Sequence, residues 1–134
     1  MHIPLYLIGA YAERRALYER FVVERLLPSP YEIVATWLQE PREDVELSDA
    51  ERRYISNRNE HEIMQSFGCI YVPSTVPGFG RDREIGMALA LRRPVLMLRD
   101  RTVHPLDHHP LLYPCTELTL IETLRKVVPY ERAF

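Results

Sequence analysis

Apolar and polar positions along the chain switch repeatedly between a strand period and a helix period. Residues 3–9, IPLYLIG, form an apolar run closed by Gly9, which predicts a buried strand. Over residues 11–27, Leu17, Phe21, Val22 and Leu26 recur at helical spacing with Glu and Arg opposite them. The PSP at 28–30 stops that helix. Residues 31–38, YEIVATWL, alternate loosely and are rich in strand formers, predicting a second strand. QEPREDVEL follows as a polar loop. Ser48, with Glu51 three residues on, makes a capping box and opens a helix that runs to about Ser66. GCIYV reads as a third strand, PSTVPGFG as a loop, residues 82–92 as a helix and PVLML as a fourth strand. The proline-rich HPLDHHPLLYP is an irregular loop. A short strand near Cys115 and a helix over 119–127 complete the chain.

Strands separated by helices predict one domain over residues 1–134. Its fold class is α/β, flavodoxin-like or Rossmann-like, with about five parallel strands and helices on both faces. Ligands of such sheets bind beyond the carboxyl ends of the strands, near the point where strand order reverses. Here those ends are residues 9–11, 37–40, 73–80 and 99–102.

Composition narrows the partners. Net charge is −2 and charged residues make up 27% of the 134, so neither a nucleic acid polymer nor an anionic membrane is an expected partner. No apolar run approaches the roughly 20 residues of a membrane span. The start lacks the basic region and cleavage site of a secretory signal, which predicts a cytoplasmic protein. Cys69 and Cys115 sit in apolar stretches and are expected as buried free thiols.

The stretch GFGRDREIGMALALRRP, residues 78–94, concentrates the candidate chemistry. Gly78 and Gly80 before a helix suit a backbone that approaches a phosphate, or a simple turn; GxGxxG is not completed and no GK[ST] follows, so no cofactor is expected. Arg81 and Arg83 are either a phosphate clamp or solvated surface arginines. With the helix starting at 82, Asp82 and Glu84 fall in its first turn, where spacing alone assigns them to the helix dipole. His104, His108 and His109 lie on the proline-rich loop without further ligands at metal spacing, so no metal is expected. Trp37 is either a core residue or an aromatic wall for a flat ligand.

Together these motifs resemble the nucleoside 2-deoxyribosyltransferase superfamily, which includes deoxynucleoside 5′-monophosphate N-glycosidases. LYLIGAY at 5–11 is similar to the family's opening strand, YEIVATWL to its second strand with a terminal Trp, and GFGRDREIGMALALRRPVLML to its Gly loop followed by xEhGxAxAxxxPV. HPLDHHP is similar to the segment after the fourth strand. The resemblance spans residues 5 to about 112. It implies cleavage or exchange of the N-glycosidic bond of a nucleoside or its 5′-monophosphate, with Glu84 as nucleophile. A carboxylate suits that task because bond breaking builds oxocarbenium-like charge on the sugar. Tyr6 would hold the carboxylate or the sugar, Gly9 would let the ligand approach, and Gly80 would keep the loop open. Ser74, Thr75 and Arg81 would contact phosphate or sugar hydroxyls, and a homodimer or higher oligomer is implied. One position departs from the pattern. Asn59 stands where the family carries an Asp that assists the leaving base, and an amide has no carboxyl proton to give. Glu60, Glu62 and Asp82 are the nearby carboxylates. A second function class, a nucleotide-binding or sensor protein on the same fold, therefore stands beside the enzyme, with a purely structural partner protein as a third.

Overall fold

The computed structural model describes residues 2–76, 80–98 and 109–129. Five strands, β1 (Ile3–Ile8), β2 (Tyr31–Ile33), β3 (Cys69–Tyr71), β4 (Val95–Leu98) and β5 (Leu112–Cys115), pair in the order β2-β1-β3-β4-β5. Every pairing is parallel. This is the flavodoxin-like order, with the reversal between β1 and β3. Side chains on a strand alternate between faces, and Ile3, Leu5 and Leu7 as well as Tyr6 and Ile8 are completely buried. Both faces of β1 are therefore covered, which is why its sequence is an unbroken apolar run.

Among the described residues, four α-helices accompany the sheet: α1 (Arg14–Tyr18), α2 (Asp49–Gln65), α3 (Gly80–Ala90) and α4 (Glu117–Val127). The Ser48–Glu51 capping box forms as its spacing predicts: Ser48 Oγ accepts from the Glu51 amide at 3.1 Å and Glu51 Oε1 from the Ser48 amide at 2.9 Å. Cys69 and Cys115 are buried and free. Among the described residues, no helix is long and apolar enough to cross a membrane.

Three local expectations change. The helix expected over 11–27 is a 3-10 turn (Tyr11–Glu13), α1 and a π-turn (Glu19–Val23), and it ends early because Arg25 takes a left-handed φ of 51°. The second strand stops at Ile33, and Thr36–Gln39 is a 3-10 turn. Its cause is remote in sequence. Glu62 of α2 accepts from the Thr36 amide at 3.1 Å and from Thr36 Oγ1 at 2.5 Å, capping a turn where the ladder to β1 has just ended. Finally, α3 begins at Gly80 rather than at 82, so Asp82 lies in its first turn and Glu84 beyond it.

Candidate active site

A cavity of about 560 Å³ opens beyond the carboxyl ends of β1, β2 and β3, the location that strand reversal predicts. One wall is the segment after β1, Gly9–Ala12, with Trp37 beside it; α2 contributes Ile55, Ser56, Asn59 and Glu60, and α3 contributes Gly80, Arg81, Arg83, Glu84 and Met87. Tyr11 and Trp37 stack with ring centroids 6.5 Å apart and planes at 28°. Trp37 Nε1 donates to the Leu7 carbonyl at 3.0 Å, so its ring is locked as well as buried. A β-carbon at Gly9 would stand 2.8 Å from Leu17 Cδ1 and 3.6 Å from Trp37 Cη2. Gly9 thus lets α1 and the Trp37 turn close on the strand end.

Glu84, on α3, brings a carboxylate to this cavity. Tyr6, on β1 and completely buried beneath it, donates its hydroxyl to Glu84 Oε2 at 2.5 Å. Burial raises the Glu84 carboxyl to about 7; the Tyr6 hydrogen bond pulls the other way, and the charge of Glu62 adds to the rise. Tyr6 itself is pushed far up by burial and by Glu84, so it stays a phenol and a proton donor in the hydrogen bond. Two consequences follow for chemistry. The carboxylate is held in one orientation, and it faces the cavity poorly solvated, which suits attack on an electron-poor carbon.

The other expected site residues separate into groups. Asn59 lines the cavity, and its Oδ1 is buried with no hydrogen-bond partner among the described residues. Arg81 lines the cavity and is buried, but its guanidinium donates to the backbone carbonyls of Val76 and Ser74 and so ties down the loop after β3. Arg83 is exposed, lines the cavity and has no ion-pair partner among the described residues. Ser74 Oγ caps the Val76 amide at 3.1 Å, Thr75 is exposed, and neither lines the cavity. Gly80 lines it with open space where a β-carbon would stand. Gly78, His104 and His108 lie outside the described residues, and His109 Nδ1 accepts from the Leu111 amide at 3.0 Å. Of the carboxylates near Asn59, Glu60 faces the cavity, Glu62 is engaged with Thr36, and Asp82 is exposed.

Arg14 escapes a sequence reading altogether. It is 2% exposed inside an Arg-rich helix, and it donates to the Glu40 carbonyl at 2.7 Å, to the Arg42 carbonyl at 3.1 Å and to Glu43 Oε1 at 3.1 Å. Its guanidinium also lies 4.4 Å from the Tyr11 ring centroid. This arginine fastens the 40–43 loop to the Tyr11 wall. No periodicity distinguishes it from the exposed Arg15 next to it.

The structure is similar to that of the CMP N-glycosidase BcmB of Clostridium botulinum, with a TM-score of 0.52 and 14% sequence identity over 90% of this chain and 97% of that one. At that identity the likeness speaks for the fold. No family model matches the chain, and no curated protein does.

Proposed function

We propose that this cavity cleaves the N-glycosidic bond of a nucleoside or nucleoside 5′-monophosphate, with Glu84 as nucleophile. The observation that carries the reading is the Tyr6–Glu84 pair, a half-buried, oriented carboxylate facing a nucleoside-sized cavity at the strand ends. The fold it shares with a CMP N-glycosidase supports it. In the first step a Glu84 oxygen bonds to the anomeric carbon while the electron pair of the C–N bond leaves with the base. The departing nitrogen takes its proton from water. Water then attacks the glycosyl ester, its proton leaves, and the Glu84 carboxylate is regenerated; attack by a second base instead gives exchange. Tyr11 and Trp37 supply an aromatic wall, and Arg83, without an ion-pair partner among the described residues, is a cation at the cavity that suits a 5′-phosphate. The working unit is a single domain over residues 1–134, assembled as a homodimer or larger.

Incubation with a panel of ribo- and deoxynucleosides and their monophosphates, read by chromatography for free base, tests this. The expected result is base release from part of the panel and its loss in Glu84→Gln by several orders of magnitude. Unimpaired release by Glu84→Gln would remove Glu84 as nucleophile. Asn59, which has no carboxyl proton, favours a second reading as a nucleotide-binding protein; ligand-raised thermal stability without any base release would select it.

A further inference from the structure

Glu62 belongs to no wall of the cavity, yet it touches the site twice. Its carboxylate holds both donors of Thr36, the amide and the hydroxyl, and Thr36 opens the turn that carries Trp37. Ser56, Asn59 and Glu60, all within the two turns before it on the same helix, line the cavity directly. Glu62 therefore ties the helix that forms one wall to the turn that forms another. We propose that Glu62 is a positioning residue for this site: it holds the Trp37 wall in register with α2.

The inference rests on reading the Glu84 cavity as the reactive site. Its test needs no substrate, so absence of base release would sink that reading and leave this one standing. Trp37 is the only tryptophan of the chain, so intrinsic fluorescence and acrylamide quenching read the wall directly. In Glu62→Ala and in Thr36→Val, which removes the hydroxyl bond, Trp37 is expected to become more accessible to quencher, whereas Glu62→Gln, whose amide still bonds Thr36, is expected to keep the wild-type quenching and emission. Trp37 quenching unchanged in both Thr36→Val and Glu62→Ala overturns the inference, and so does folded Glu62→Gln that loosens Trp37 as much as Glu62→Ala does.

Discussion

Replacing Glu84 by Gln should stabilise the protein above about pH 4.5, and to the full extent from about pH 7 upward. Its carboxyl titrates at about 7 in the fold against an ordinary value of 4.5, because burial outweighs the Tyr6 hydrogen bond. The folded state therefore binds the proton more tightly than the unfolded chain does. At about pH 4 Glu84 is protonated in both states and carries no penalty. Between about pH 4.5 and 7 the unfolded chain releases the proton while the folded one retains it, so stability falls as pH rises; above about 7 the loss is complete. The interval from 4.5 to about 7, at about 1.4 kcal/mol per pH unit, amounts to about 3 kcal/mol. The amide introduced by Glu84→Gln never ionises, and its oxygen still accepts from the Tyr6 hydroxyl, so the variant keeps the packing and loses the penalty. Urea unfolding of both proteins at about pH 4, 6 and 8, with equal m-values, measures the difference. It should be near zero at the lowest pH and reach up to about 3 kcal/mol in favour of the variant at the highest. A helix-dipole role would give the opposite sign, a loss of about 0.3–1 kcal/mol when the charge is removed. A wild type more stable than the variant at about pH 8, or a difference that does not vary with pH, would refute the reasoning.

Three further outcomes are expected. Because the nucleophile must be ionised, kcat/KM for base release should rise with pH through about 7 and level off above it; a rate independent of pH between about 5 and 8 contradicts a Glu84 nucleophile. Tyr6→Phe removes the donor that favours the Glu84 carboxylate, so the rising limb should move to higher pH; the buried oxygen left unpaired should lower stability by about 1–3 kcal/mol at neutral pH, measured by urea unfolding. Asn59→Asp places a carboxyl on the cavity wall and, under the proposed reaction, should raise the rate of base release by about 10²–10⁴-fold, read in the same chromatographic assay; an unchanged rate in the folded variant means that another group already delivers the proton.

Much of the fold is legible in local pattern. The wholly apolar 3–8 segment, the capping residues Ser48 and Glu51, and the alternation of strand and helix periods each reflect hydrogen bonding and burial within a few residues. From them the parallel α/β sheet and the place of the cavity at its strand ends follow, and the resemblance picks out Tyr6, Asn59 and Glu84 as candidates. Interactions between distant residues decided the rest. Tyr6 and Glu84 are 78 positions apart, and only the placement of α3 over β1 brings oxygen to oxygen and lifts the carboxyl to about 7. Trp37 looked like the end of a strand because its neighbours favour strands, yet Glu62, 26 positions beyond Thr36, bends that segment into a turn. Arg81 and Arg83 are alike in sequence; packing buries the first against loop carbonyls and leaves the second exposed at the cavity. Periodicity states which face of an element is buried. Which charged group it meets there depends on how the elements pack, and at this site that packing determines the chemistry.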